Sequence, residues 1–315
     1  MKRENMTEEQ ITEYRRVAFY YYKGGLTQEE IAQKMKMSRQ RVNRIIKACV
    51  ELGIVKITIE SIDESNLEVE NRIEQKYQLK EVRLVDNVIE KDIYAELGDA
   101  AGKYLQTLMQ NNSIIGFTRG RATSALVDSI PGTQKNGNIT VTQLIGNASE
   151  EQENMGVDEV IYRFAEKFHG RTSRLYAPVI VKNKDLKMAL TEEPYYKEAY
   201  RTIQKCDIAV VGIGTASSQW EHMESLYDTN DARQAEWTKN VAGEVCTHFF
   251  DAEGKVVTPP FRDRIIAISL EDYMKIPVRI GVAGSLEKKD AIRAALKGGY
   301  VNVLITDLQT AKELL

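Results

Sequence analysis

The 315-residue chain is short of the residues that build metal centres and disulfide frameworks. It has 3 cysteines, Cys49, Cys206 and Cys246, far apart and without a CxxC pair. An odd number cannot all pair, so reduced, buried thiols in a reducing compartment are expected. Its 3 histidines, His169, His222 and His248, are equally scattered. No metal-ligand spacing results, and neither a metal nor any other cofactor is expected. Long apolar runs are also missing. The stretch IAVVGIGTA (208–216) falls far short of the ~20 residues that span a bilayer, which excludes a membrane partner. The start, MKRENMTEEQ, is charged and polar, unlike a secretory signal peptide. These absences predict a cytoplasmic location. What remains, 43% hydrophobic and 28% charged residues, is the composition of a globular protein. The length suits a small domain joined to a large one.

Net charge is −3, but it is unevenly spread. Residues 1–60 carry 12 Lys and Arg against 8 Asp and Glu, and the remainder carries 31 against 38. A basic head on an acidic body confines polyanion contacts to one end of the chain.

Within that head, Gly25 to Lys47 reads GLTQEEIAQKMKMSRQRVNRIIK. Thr27 is an N-cap with Glu30 three residues on, the capping-box spacing. Ile31, Ala32 and Met35 form the inner face of a short helix, with Gln28 in its first turn. Met37 plugs the turn, and Ser38 caps a second helix. There Val42, Ile45 and Ile46 recur at helical spacing and face inward. Arg39, Gln40, Arg41, Asn43 and Arg44 are left on the open face. Arginine matches guanine edges or phosphates, and amides match adenine edges, so this is the chemistry of a major-groove recognition helix. Thr27, Gln28, Ser38, Arg39, Gln40, Arg41, Asn43 and Arg44 are therefore the candidate DNA contacts. Upstream, Ile11–Lys23 predicts a leading helix packing through Tyr14, Val17, Ala18 and Tyr21, with Gly24-Gly25 ending it. The tyrosines Tyr20–Tyr22 are expected to pack on the helices that follow. Downstream, the alternation of IVKITI (54–59) predicts the strand of a wing. A helix-turn-helix domain over residues 1–60 and a polar linker at 61–66 follow.

Residues 67–315 alternate strands with helices. SIIGFT (113–118), ITVTQLIG (139–146), DIAVVGIG (207–214), VRIGVAG (278–284) and VNVLITD (301–307) read as strands buried on both faces. Ile93–Met109, Arg121–Ile130, Asp158–Phe168, Pro194–Lys205 and Lys289–Lys297 read as helices. The pattern predicts an α/β fold with a mainly parallel sheet. In such a sheet, ligands sit at the carboxyl ends of strands, beside helix N-termini.

Four turns there carry usable chemistry. GFTRGRAT (116–123) ends a strand and opens a helix, with Thr118, Arg119, Gly120, Arg121 and Thr123 offering donors to a phosphate or carboxylate; a plain tight turn is the alternative. QLIGNAS (143–149) and VGIGTAS (211–217) end strands at glycine, and strand-to-helix packing explains them as well as ligand contact does. GIG alone is too short for a dinucleotide fingerprint. AGSLEKKDAI (283–292) places Lys288 and Lys289 at a helix start, where a cation is disfavoured unless an anion joins it. In GEVCTHFFDAEGK (243–255), Glu244 follows a glycine and Asp251–Gly254 forms a turn. Its carboxylate suits sugar hydroxyls or a general base.

These segments, in this order, resemble the SorC-type family of bacterial transcriptional regulators, which includes the deoxyribonucleoside regulator of Gram-positive bacteria. The likeness runs from YRRVAFYYYKGGLTQEEIAQKMKMSRQRVNRIIKACVELGIVKI through GFTRGRAT, VGIGT and GEVCTHFFDAEG to KKDAIRAALKGGYVNVLITD. It implies a winged helix-turn-helix joined to a sugar-binding domain with the fold of sugar-phosphate isomerases. A phosphorylated sugar effector, operator DNA and a homodimer or homotetramer are implied with it. Carried over, the phosphate turn falls at Thr118, Gly120 and Arg121, the second loop at Gly146 and Asn147, and the third at Gly214. Glu244 becomes the acidic sugar contact and Lys288 the lysine near the phosphate. The chain departs from the family pattern where tryptophan often stands (Arg119), where threonine does (Ala122), where a second glycine is common (Asn147), and where aspartate is usual (Glu244). Ile145 replaces the lysine that bonds covalently to the sugar in the deoxyribonucleoside regulator, which excludes a Schiff base there.

A regulator of a carbohydrate operon, controlled by a sugar or sugar-phosphate effector, is the leading expectation. The alternative is a sugar-phosphate isomerase carrying a DNA-binding appendage. An isomerase needs a positioned acid/base pair, and Glu244 has no evident partner in these turns.

Overall fold

The computed structural model describes residues 6–56, 64–86, 92–132, 138–147, 156–215 and 237–315. The chain divides into two compact units, Met1–Glu64 and Ser65–Leu315.

The first unit is built from helices α1 (Glu8–Ala18), α2 (Gln28–Met35) and α3 (Arg39–Glu51). Val17, Ile31, Val42, Ile45, Ile46 and Cys49 form its core. Helix α1 starts earlier than its apolar pattern suggests, because Thr7 accepts from the Gln10 amide in a capping box. It then widens into a π turn, Phe19–Lys23. That turn shifts the helical phase, so Tyr20 and not Tyr21 joins Tyr14 against the core. Phe19, Tyr21 and Tyr22 stay exposed, which corrects the packing role expected of the last two. Of the glycine pair, Gly25 alone takes a left-handed φ, 65°. Helix α2 carries the expected capping box: the Glu30 amide donates to Thr27 Oγ1 at 3.3 Å, and the Thr27 amide donates to Glu30 Oε2 at 2.8 Å. A left-handed Lys36 turns the chain over half-buried Met37, and Ser38 Oγ accepts from the Arg41 amide. The expected wing is not seen as strand over 54–56. There the Val55 amide donates to the Cys49 carbonyl, and Ile54 and Val55 pack on the three-helix core. Residues 57–59 of that expectation lie outside the described residues.

The second unit opens with α4 (Glu64–Tyr77), which begins inside the polar stretch read as a linker. A seven-stranded sheet follows: β1 (Glu81–Val85), β2 (Ile114–Phe117), β3 (Thr140–Gln143), β4 (Arg171–Ser173), β5 (Ile208–Gly212), β8 (Val278–Val282) and β9 (Val303–Asp307). Every pairing in it is parallel, in the order β1-β9-β8-β5-β2-β3-β4. Four consecutive buried residues in β5 and five in β9 show strands covered on both faces. The crossover helices are α5 (Ile93–Leu108), α6 (Arg121–Ser129), α7 (Val157–Lys167), α8 (Lys184–Glu192) and α9 (Pro194–Ile203). Further on come α10 (Leu270–Lys275), α11 (Lys289–Lys297) and α12 (Leu308–Leu314), with a separate hairpin of β6 (Gly243–Val245) and β7 (His248–Phe250).

Two features of this topology position a site. From β2 the chain moves outward to β3, whereas from β5 it moves the opposite way to β8. The carboxyl ends of β2 and β5 therefore flank a topological switch point, where a crevice opens. Helices α5 and α6 also approach very closely. A side chain at Gly98 would lie 2.5 Å from the Ala125 backbone, so glycine is required there. This contact brings the amino-terminal end of α6 beside that of α5.

Candidate functional site

The turn after β2 is shaped before it meets any ligand. Gly120 has φ 149°, a conformation closed to other residues without strain, and it caps α6 with no side-chain hydrogen bond. Thr123, fully buried, donates its hydroxyl to the Gly120 carbonyl at 2.8 Å. That bond holds the loop. Buried Thr118 ties β2 to β5, because its Oγ1 accepts from the Gly212 amide at 3.4 Å. The first-turn N–H groups of α6, which follows the carboxyl end of β2, carry partial positive charge.

Three cations converge there. The Arg121 guanidinium stacks over the Tyr94 ring at 4.1 Å, and Lys288 Nζ sits 6.0 Å from the same ring. Tyr94, in the first turn of α5, was not singled out from the sequence. It lies 27 residues before Arg121 and belongs to no motif, so only the α5–α6 contact reveals it. Arg119 is largely desolvated, and burial pulls its guanidinium down from the usual arginine range while Glu244 opposes the shift. Burial likewise lowers Lys288, the nearby Arg121 adding to the effect and Glu244 opposing it. Lys289 instead pairs with Glu313 of α12 at 3.2 Å, which corrects its placement at the anion site.

Glu244 is the acidic counterpart. Antiparallel bonds to Gly214, 3.0 Å in each direction, join the hairpin to the end of β5. Burial pushes the Glu244 carboxyl up to about 6, against the Thr247 amide, Arg119 and Lys288. The amide of Thr247 donates to Glu244 Oε2 at 2.8 Å. Cys246 and Thr247, the two-residue loop of the hairpin, both have positive φ, 51° and 65°. A loop of this twist normally uses Asn-Gly, so a β-branched Thr here is backbone strain held beside the site. That combination hid Thr247 from the sequence reading.

The second loop is committed to packing. A Cβ at Gly146 would lie 2.6 Å from the Pro178 backbone, and its amide already donates to the Ile266 carbonyl. Asn147 is bonded through its amide to Ala177 and through its side-chain oxygen to Gln143. Ile145 is buried. The ends of the second and third turns (148–149 and 216–217) lie outside the described residues.

In the first unit, Arg39, Gln40, Arg41, Asn43 and Arg44 are all exposed on α3, opposite its buried Val42, Ile45 and Ile46. Arg41 differs from the others, because its Nη2 contacts both carboxylate oxygens of Glu13 at 3.0 and 3.1 Å.

A family model of a sugar-binding domain (Sugar-bind) matches residues 63–315, and a MarR family model matches 12–61. The chain belongs to the SorC family of sugar-binding transcriptional regulators. It is 30% identical to the transcriptional regulator LsrR of Escherichia coli K12 over 311 residues, 98% of this chain and 95% of that one. The full-length sorbitol operon regulator SorC of Klebsiella pneumoniae superposes with a TM-score of 0.74, at 26% identity over 98% of this chain and 99% of that one. A transcriptional regulator of Streptococcus pneumoniae TIGR4 superposes with a TM-score of 0.73, at 31% identity over 80% of this chain and 97% of that one. Among the described residues no helix is long and apolar enough to cross a membrane.

Proposed function

We propose that this SorC-family regulator acts on a carbohydrate-utilisation operon, and that an anionic sugar binding at the β2–β5 switch point controls it. The observation that carries the reading is the convergence of Arg119, Arg121 and Lys288 with the α6 N-terminus around buried Glu244. Among the described residues, three cations beside the Glu244 carboxylate, with Glu287 also near Lys288, leave the crevice net positive, which suits a phosphate. Glu244, anchored by the Thr247 amide, is placed to accept hydrogen bonds from sugar hydroxyls. The exposed face of α3 supplies operator contacts, Arg39, Gln40, Asn43 and Arg44 reading bases or phosphates. Arg41 approaches the DNA braced by Glu13. A single recognition helix per chain reads one half-site, so a homodimer or homotetramer in the cytoplasm is the working form. Binding energy, not turnover, is the output. The buried acid Glu244 is already held by a backbone amide, and a sensor needs only differential affinity for two arrangements of its DNA-binding heads.

Calorimetry with pairs of sugars and their phosphates tests this. The phosphate is expected to bind more tightly. Lys288→Ala should weaken it about ten- to a hundredfold, roughly 1.5–3 kcal/mol, while operator affinity without effector stays the same. Tighter binding of the neutral sugar, or conversion of a sugar phosphate by the purified protein, would overturn the proposal.

A further inference from the structure

A second cavity, of about 460 Å³, lies between the β6–β7 hairpin, helices α8 and α9, and the segment 256–270. Its size is that of a small-molecule site. The walls are mostly apolar or aromatic: Tyr196, Phe249, Val257, Ile265, Ile268 and Leu270. None of the candidate effector residues lines it.

The polar groups of this cavity are almost all spent inside the protein. Tyr200 donates to Asp272 and accepts from the Ser269 amide, both at 3.0 Å. Ser269 donates to Asp272, Thr191 to the Lys187 carbonyl, and Thr247 to the Cys246 carbonyl. His248 Nε2 is bonded to the Ile268 carbonyl at 3.0 Å. Two cations remain, Lys187 and Arg262. Among the described residues neither side chain has an ion-pair or hydrogen-bond partner. Partial burial lowers the Lys187 ammonium, Arg262 repelling it and Asp263 holding it.

We propose that this cavity binds a second ligand, a small organic anion with an apolar, ring-sized body, its acid group held by Lys187 and Arg262. Aromatic and aliphatic walls take the body, and the two like charges at the rim, offset so far only by Asp263 near Lys187, gain a directly bonded counter-charge. A sugar is a poor occupant, because the hydroxyls it would need as partners are already engaged. The occupant would also touch Thr247, whose amide donates to Glu244. The hairpin thus contributes residues to both sites.

A matched pair of probes tests the assignment on the full-length protein. 1-Anilinonaphthalene-8-sulfonate and its uncharged parent 1-anilinonaphthalene share a ring body and differ in one sulfonate. The sulfonate is expected to bind saturably, one per chain. Lys187→Gln and Arg262→Gln should each weaken it on the order of fivefold to tenfold while leaving the parent compound unchanged. Thr258→Trp, an exposed lining position, should fill the space and exclude both probes. Charge substitutions that leave sulfonate affinity unchanged, or probe binding that survives Thr258→Trp, would overturn the site. So would a change in sedimentation coefficient with the charge variants, which would mark this face as a contact between copies of the chain.

Discussion

At the scale of single residues, burial decides more than identity does. Glu244 and His248 stand four positions apart in one hairpin and are shifted in opposite senses by the same loss of water, the carboxyl upward and the imidazole downward. Burial holds His248 at about 4, against an ordinary 6.5, with Arg262 adding to the effect and the Ile268 hydrogen bond opposing it. A base with a depressed pKa contributes stability that is present above pH 6.5 and lost as the pH falls towards 4. The contribution is about 3 kcal/mol at full extent. His248→Gln, which keeps a donor for the Ile268 carbonyl, should therefore lose less stability than the parent between pH 6.5 and 4. Parallel denaturation curves for the two proteins across that window would show that His248 is not the group responsible. Glu244 predicts a different pH effect. Protonation near pH 6 removes the buried negative charge that Arg119 and Lys288 share. Affinity for an anionic sugar should rise as pH falls through 6, and Glu244→Gln should lose that rise. Calorimetry of a sugar sulfate, which does not titrate in this range, reads it directly.

At the scale of elements, the first unit owes its readable motif to caps. The eight residues of α2 are too few to be stable alone, so the Thr27–Glu30 box carries a disproportionate share of its persistence. Thr27→Ala should cost about 1 kcal/mol. Amide exchange in α2 should then speed up about fivefold, with α3 less affected because Ser38 caps it independently. Equal exchange in α2 before and after the substitution would remove the box from this role. Not every element was so legible. The strands β2, β3, β5, β8 and β9 show as apolar runs because both of their faces are covered. The edge strands β1 (EVRLV) and β4 (RTS) are short or charged and were missed for that reason. The π turn after α1 left no mark either, because a one-residue change of phase within FYYYK alters no pattern that a period of 3.6 can detect.

For the whole molecule, charge is divided between a basic head and an acidic body, and the proposed polyanion contacts belong to the head. The salt dependence of operator affinity should therefore respond to one unit only. Arg39→Ala is expected to reduce the slope of log affinity against log salt by about 1. Lys288→Ala is expected to leave that slope unchanged while moving the response to about ten- to a hundredfold higher effector concentration. A reduced slope in the lysine variant would mean that the large unit itself touches DNA.

The order of caps, apolar faces and glycine-ended strands along the chain determined the helix-turn-helix and the parallel sheet, because both are set by local periodicity and by backbone preferences. It also marked Thr118 to Arg121, Gly214, Glu244 and Lys288, since turns at strand ends are where such sheets carry ligands. Only the tertiary structure decided which of these residues meet. It turned Thr123, Gly146 and Asn147 to holding the loops, sent Lys289 away to Glu313, and brought in Tyr94 beneath Arg121. Those assignments depend on how closely α5 approaches α6 and on which strand neighbours which. Contacts between residues distant in the chain are created by packing, and no local pattern encodes them.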